Sequence, residues 1–257
     1  MVVGGGKMGE ALTAGLLNAG WAKPKEITIV EPVDERRNEI SKKYDGLRVI
    51  AKIEHADDVL LAVKPDYVRL VCQELSDFAP NRIISIAAGV RTNIIQGELP
   101  SGIRVIRVMP NTPAVIGIGM SALVAGKDAT HEDLEWASSI FAAVGKVTVV
   151  DESLINVVTG LSGSGPAYIF ALAEAMTSAG ISEGLDPEVA DLLTRQTILG
   201  AASLLDQSEQ TPMQLRAAVT SPNGTTAAAI RVFEDMGFAQ IITEAIRAAT
   251  HRADELA

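Results

Sequence analysis

The sequence is poor in the residues that make covalent cross-links and metal centres. It has a single cysteine, Cys72, and three histidines, His55, His131 and His251. One thiol excludes an intrachain disulfide and a cysteine-based metal cluster. The histidines lie far apart with no neighbour at metal or triad spacing, so they read as surface or packing residues and no metal is expected. No apolar run approaches the roughly 20 residues that span a bilayer. The N-terminus lacks the basic segment and apolar stretch of a signal peptide, which makes cytoplasm the expected compartment. Positive charge is scarce too: 22 Lys and Arg face 32 Asp and Glu, a net charge of −10. That balance argues against nucleic acid or an anionic membrane as partner.

The shortage is uneven. Residues 1–151 hold 17 basic and 19 acidic residues, whereas residues 152–257 hold five arginines, no lysine and 13 acidic residues. An anion bound by the second part must therefore be held by arginine, backbone N–H groups or hydroxyls, and no lysine there can form a Schiff base.

What is present, with 47% hydrophobic residues in a chain of 257, is enough apolar material for one or two domains. Residues 1–151 alternate β-branched runs with helical segments. Strands are predicted at Met1–Val3, Glu26–Val30, Arg48–Ile50, Val59–Val63, Ile83–Ala87, Val105–Val108, Ser121–Val124 and Val147–Val150, and a first helix over Lys7–Asn18 with Gly20 as its stop. This alternation indicates an α/β domain with a parallel sheet covered on both faces. From residue 152 the strand-like runs vanish. Helices are predicted at 166–179, ended by Gly180, from Asp186-Pro187 to about Asp206, from a capping box at Thr211-Pro212-Met213-Gln214, from Gly224-Thr225-Thr226 to near Gly237, and over 238–255. The second part is thus all-helical, and its Ala-rich faces at 167–175 and 198–205 suggest packing against another subunit, the internal core of a monomer being the alternative.

Met1-Val2-Val3 runs into Gly4-Gly5-Gly6-Lys7-Met8-Gly9, a G-x-G-x-x-G pattern between a strand and a helix. Gly4 suits the tight turn, Gly6 the close approach of a pyrophosphate, and Gly9 the packing of helix on sheet. The helix start supplies N–H donors and a partial positive charge. Glu31, at the end of the second strand, stands where an acidic side chain accepts from the ribose 2′-hydroxyl, which leans toward NADH; Arg36 and Arg37 read as a solvated first helical turn, or would accommodate a 2′-phosphate if the loop bent back. Only three residues precede Gly4, fewer than a first strand ordinarily has, so a natural start before Met1 stays open.

Ligands on open parallel sheets sit beyond the carboxyl ends of the strands. The loops Ala62-Val63-Lys64-Pro65, Ala87-Ala88-Gly89 and Met109-Pro110-Asn111-Thr112-Pro113 are therefore expected around the nicotinamide. Gly160-Leu161-Ser162-Gly163-Ser164-Gly165 fits no register of a nucleophile elbow and reads as a glycine-rich helix start. In the second part, Val219-Thr220-Ser221-Pro222-Asn223-Gly224-Thr225-Thr226 links two helices, carries four hydroxyls, and can aim free backbone N–H groups at one point, as a carboxylate site requires. A plain N-cap would need one hydroxyl.

These residues resemble the pyrroline-5-carboxylate reductase family. The likeness runs through the glycine turn, Ala62–Pro65, Met109–Pro113, Gly160–Tyr168 and Pro212–Glu234. In the last stretch Pro212, Leu215, Val219, Thr220, Ser221, Gly224, Thr226, Ala229, Ile230, Phe233 and Glu234 fall in register. The resemblance implies an α/β Rossmann-type dinucleotide-binding domain at 1–151 followed by an all-α dimerisation and substrate domain at 152–257. It further implies a homodimer that often builds a decamer, an active site made from one subunit's first domain and helices of both subunits, and reduction of L-1-pyrroline-5-carboxylate to L-proline with NADPH or NADH. By similarity, Ser221, Gly224, Thr225 and Thr226 grip the substrate carboxylate and ring nitrogen, with Thr226 the catalytic candidate, and Glu209 and Val219 line the ring pocket. Gly4, Gly6, Lys7, Met8, Gly9, Glu31, Val63, Lys64, Pro65, Ala87, Ala88, Gly89 and Asn111 fall in cofactor-binding segments, and Glu152 is implied to reach the cofactor. Two positions depart from the pattern: Asn223 stands in place of the loop's first glycine, a substitution that a positive φ tolerates, and Ala218 replaces an asparagine of some relatives. The alternatives are another small imine or hydroxyacid reductase, whose hydroxyacid members rely on a helical-domain lysine missing here, and a non-catalytic nucleotide-binding dimer.

Overall fold

The computed structural model describes residues 1–255. Eight strands form one sheet: β1 Val2–Val3, β2 Thr28–Val30, β3 Arg48–Ile50, β4 Asp58–Leu61, β5 Arg82–Ser85, β6 Arg104–Pro110, β7 Gly119–Ala125 and β8 Gly145–Val149. Their order is β3-β2-β1-β4-β5-β6-β7-β8. All neighbours are parallel except β6 and β7, which run antiparallel. The fully parallel sheet expected from sequence is corrected there: residues 111–118 hold only a short 3-10 turn, too little chain for the crossover that a parallel pair requires.

Helices α1 Lys7–Asn18, α2 Asp34–Lys43, α3 Val68–Ser76, α4 Thr92–Gly97 and α5 His131–Ala142 connect the strands. Consecutive strand residues feed opposite faces. Ile84 and Ile106 join Leu12, Leu16 and Phe141 in one core cluster, while Ile83 and Val105 join Val71, Leu75 and Ile95 in the other. Burial on both faces is what makes these strands read as continuous apolar runs. Cys72 is wholly inside the second cluster, and burial pushes its thiol up to about 12.

After β8 the chain is helical: α6 Ile155–Val158, α7 Gly165–Ser182, α8 Pro187–Gln207, α9 Pro212–Ala218, α10 Thr225–Asp235 and α11 Phe238–Glu255. Between α6 and α7 the residues Thr159–Gly163 form a π turn, closed by the Ser164 N–H on the Thr159 carbonyl at 2.8 Å. The glycine-rich segment expected to start a helix therefore lies inside a nearly continuous helical path. Gly180 is likewise not a terminator. It lies within α7, where an added Cβ would stand 3.2 Å from Leu185 and 3.5 Å from Ala190 of α8. The stop is Gly184, at φ +101°, with the Leu185 N–H returning to the Gly180 carbonyl at 3.0 Å in a glycine C-cap.

Two compact units result, Met1–Pro166 with the stretch from Arg247 onward, and Ala167–Ile246. The sequence texture changes at 151/152 instead. Residues 152–166 and the end of α11 stay with the sheet unit because Asn156 donates to Asp254 at 2.6 Å and Ile155 and Ala253 are buried. The second unit has little interior of its own. Among its described residues only Ala190 and Thr194 are buried, while Phe170, Leu192, Leu193, Leu199, Val232 and Ile241 are exposed. Apolar exposure on this scale marks an association surface.

Candidate active site

The carboxyl ends of β1, β2, β4 and β5 carry the expected cofactor residues. β1 ends at Val3, and the chain turns at once through Gly4, at φ +111°. An added Cβ on Gly4 would stand 2.5 Å from the Ala62 carbonyl oxygen, and one on Gly9 only 2.1 Å from that of Gly4. Neither neighbour can yield, because both are backbone. At Gly6 an added Cβ would meet nothing within 4 Å. The three glycines thus divide as the pyrophosphate-binding turn requires: two are demanded by the protein's own packing, and one leaves open space for a ligand. Gly6 is the N-cap of α1, and among the described residues no side chain caps that helix. Its first N–H groups, including those of Lys7 and Met8, have no intrahelical acceptor. The Met8 side chain packs on the core, and Lys7 is exposed.

Glu31 follows β2 and is buried. Its Oε2 accepts from the Gly5 N–H at 3.0 Å and its Oε1 from the Val33 N–H at 3.0 Å. Each carboxylate oxygen has a further lone pair beyond these bonds. Arg36 and Arg37 depart from the solvated helical turn expected of them. The Arg36 Nε donates to the Gly5 carbonyl at 2.8 Å, and the Arg37 Nη1 to the Glu31 carbonyl at 2.8 Å. Arg36 folds back onto the turn, and Arg37 onto the chain that leaves β2.

Val63 borders Gly4, Pro65 begins a 3-10 turn whose N-cap is the exposed Lys64, and Ala87 is buried with Gly89 at φ +78°. Asn111 follows β6. Its Oδ1 accepts from the Met120 N–H at 2.8 Å and its Nδ2 donates to the Ser162 carbonyl at 3.3 Å, so its amide braces two backbone segments. Glu152 is engaged within the protein as well. It accepts from the Thr92 N–H at 2.8 Å and hydroxyl at 2.7 Å and lies 3.5 Å from Arg107. Arg107 is 2% exposed. The sequence shows it only as an unexplained charge in an apolar strand.

The hydroxyl-rich segment lies between α9 and α10. The Thr211 hydroxyl and Gln214 amide close the expected capping box of α9. Asn223 adopts φ +60°, the left-handed conformation usually given to glycine, and so preserves the turn. α10 then starts from Gly224, and among the described residues no hydroxyl caps it. The Ser221 Oγ instead lies where a Gly224 Cβ would be, 2.4 Å from that position. The N–H groups of Thr225, Thr226 and Ala227 precede the first helical bond, which runs from Ala228 to the Gly224 carbonyl at 3.1 Å. The loop therefore presents uncapped helix donors beside the Ser221, Thr225 and Thr226 hydroxyls, the kind of donor set that suits an anion without needing a lysine. Glu209 and Val219 are exposed on the same helical unit. Among the described residues no group of His, Cys, Asp and Glu is placed to hold a metal ion, and no helix is long and apolar enough to cross a membrane.

Comparison with known proteins finds relatives along the whole chain. Residues 152–256 match the family model for pyrroline-5-carboxylate reductase dimerisation, and residues 1–89 match that for coenzyme F420-dependent NADP oxidoreductases. A pyrroline-5-carboxylate reductase of Synechocystis is 44% identical over 99% of this chain and 97% of its own. The structure of the Coxiella burnetii enzyme superposes with a TM-score of 0.93 at 38% identity, covering 100% of this chain and 97% of that one. The Plasmodium falciparum enzyme, solved with NADP bound, gives 0.86 at 27% identity over 99% and 96% of the two chains. With a dinucleotide-type glycine turn, a helical unit rich in exposed apolar residues and this likeness along its length, the chain belongs to the pyrroline-5-carboxylate reductase family.

Proposed function

We propose that this protein reduces L-1-pyrroline-5-carboxylate to L-proline with a reduced nicotinamide dinucleotide, the final step of proline biosynthesis. The observation that carries the reading is the uncapped start of α10 beside the Ser221, Thr225 and Thr226 hydroxyls, in a part of the chain that contains no lysine; the Thr220 hydroxyl is turned back onto the Arg216 carbonyl at 2.6 Å. A substrate bearing a carboxylate and an imine suits such a site, because it needs neither a Schiff-base lysine nor a metal. The family membership supports the same reading.

The turn Gly4–Gly9 holds the diphosphate, Glu31 accepts from the adenosine ribose, and Val63–Pro65, Ala87–Gly89 and Asn111 border the nicotinamide. When bound, the reduced cofactor supplies the hydride. The protein's task is orientation. The N–H groups of Thr225 and Thr226, with the Ser221 hydroxyl, fix the substrate carboxylate. Thr226 contacts the ring nitrogen and holds its proton in place, directly or through a water; a threonine hydroxyl is too weak an acid to be the proton source. Val219 and Glu209 flank the ring. The helical unit forms a homodimer, and dimers assemble further into a decamer, in the cytoplasm.

The test is oxidation of NADH followed by absorbance when pyrroline-5-carboxylate is added. Turnover supports the reading, whereas dinucleotide binding without turnover refutes it in favour of a nucleotide-binding dimer. Glu31 puts a carboxylate where a 2′-phosphate would sit, so KM for NADH is expected below that for NADPH, and the reverse order would refute the role given to Glu31. Light scattering that returns a monomer would refute the assembly.

A further inference from the structure

The Gly5 backbone is held through both its N–H and its carbonyl. Its N–H meets Glu31 at 3.0 Å and its carbonyl meets the Arg36 Nε at 2.8 Å. An added Cβ at Gly5 would lie 2.7 Å from Ile40 of α2, so the turn is packed against the helix that carries Arg36. The rest of the Arg36 guanidinium is also engaged. Its Nη1 donates to Glu39 at 3.0 Å, and its Nη2 to Glu10 in the first turn of α1. Glu39 is largely exposed, so that pair is weak, whereas the Glu10 side chain is 15% exposed and holds its partners in a less screened setting. Glu10 also accepts from Lys43 at 2.7 Å and from the Tyr44 hydroxyl at 3.1 Å. It is a fixed anion with three donors around it.

In folds of this kind an acidic residue after the second strand reads a free ribose 2′-hydroxyl, and a nearby arginine accommodates a 2′-phosphate. This chain holds both residue types against one residue of the turn. Resting on the dinucleotide reading of Gly4–Gly9, we propose that Glu10 is a specificity-determining residue. Its carboxylate keeps Arg36 on the Gly5 carbonyl, where the arginine positions the turn and is withheld from a 2′-phosphate. Arg37 points elsewhere, its Nη1 donating to the Glu31 carbonyl at 2.8 Å.

The test is direct binding of NADH and NADPH, by titration calorimetry, to wild type, E10Q, R36Q and the double variant E10Q/R36Q, with thermal melting to establish folding. In E10Q the counter-charge is gone, and the ratio of NADPH to NADH affinity is expected to rise fivefold or more; in E10Q/R36Q that gain is expected to vanish. A ratio within twofold of wild type in E10Q, or a gain that persists without Arg36, overturns the proposal. R36Q supplies an arm independent of Glu10. NADH affinity is expected to fall at least threefold with no improvement for NADPH, and a folded R36Q with unchanged NADH affinity overturns the positioning role. Wild-type protein that binds neither dinucleotide would instead refute the cofactor reading beneath it.

Discussion

The glycine turn allows stability and cofactor affinity to be separated by two single substitutions. In Gly9→Ala the new Cβ would stand 2.1 Å from the Gly4 carbonyl oxygen and 3.1 Å from the Ala62 Cβ. Relief requires moving backbone at the meeting point of β1, α1 and β4, so the cost falls at or beyond the upper end of the roughly 1–3 kcal/mol usual for overpacking. For a chain of this length a loss of about 3 kcal/mol lowers the melting temperature by roughly 6–12 °C. In Gly6→Ala nothing lies within 4 Å of the new methyl, and Gly6 sits at φ −68°, ψ −179°, a conformation open to alanine. The lost flexibility of the unfolded chain and the poorer N-cap nearly cancel, leaving a stability change below about 1 kcal/mol. The methyl nonetheless stands between the backbone and an incoming diphosphate. Affinity for NADH is therefore expected to fall about tenfold or more, equivalent to roughly 1.4 kcal/mol. Melting curves of the ligand-free protein and calorimetric titration of NADH are the two measurements. A Gly6→Ala protein as unstable as Gly9→Ala, or one that binds NADH like wild type, would refute the division of roles among the three glycines.

Other outcomes follow from the same geometry. Thr226→Ala should lower kcat/KM by roughly tenfold to a hundredfold, the loss of one or two good hydrogen bonds, with little change in melting; wild-type kinetics would remove Thr226 from the reaction. Burial alone would raise the Glu10 pKa, but hydrogen bonds from Lys43, Arg36 and Tyr44 outweigh it and hold the carboxyl at about 2. A carboxyl depressed on folding stabilises the protein above its unfolded value, and that contribution is lost as pH falls from about 4.5 toward 2. In acid unfolding followed by circular dichroism, E10Q should accordingly lose less stability than wild type across this window, and parallel curves would contradict the network. Cys72, enclosed and pushed up to about 12, should resist iodoacetamide in the native protein and react once it is unfolded. Rapid native alkylation, read by mass spectrometry, would show that the core opens.

The elements that rest on short-range chemistry were legible in the sequence. The G-x-G-x-x-G turn after an apolar run, the capping box at Thr211 and Gln214, Asn223 as a tolerated left-handed residue, and the stop near Gly237 each involve residues within a few positions of one another. The family resemblance at Pro212–Glu234 worked for the same reason, since a helix–loop–helix carries its pattern in one contiguous stretch. Gly180 shows the limit. A glycine in a helical pattern reads as a stop, and only the neighbouring helix reveals that it serves close packing against Ala190.

The amino-acid order by itself determined the alternation of strands and helices, the change to helices after residue 151, and the glycine and hydroxyl clusters at two helix starts, because periodicity and capping are local. Only the tertiary structure decided the antiparallel β6–β7 pair, the return of the end of α11 to the sheet unit, and the capture of Arg36 by Glu10 and Gly5. Glu10 and Arg36 are 26 positions apart, and it is the parallel pairing of β1 with β2 that makes them neighbours. An ion pair between residues so far apart in the chain depends on distance in space, which no local pattern encodes.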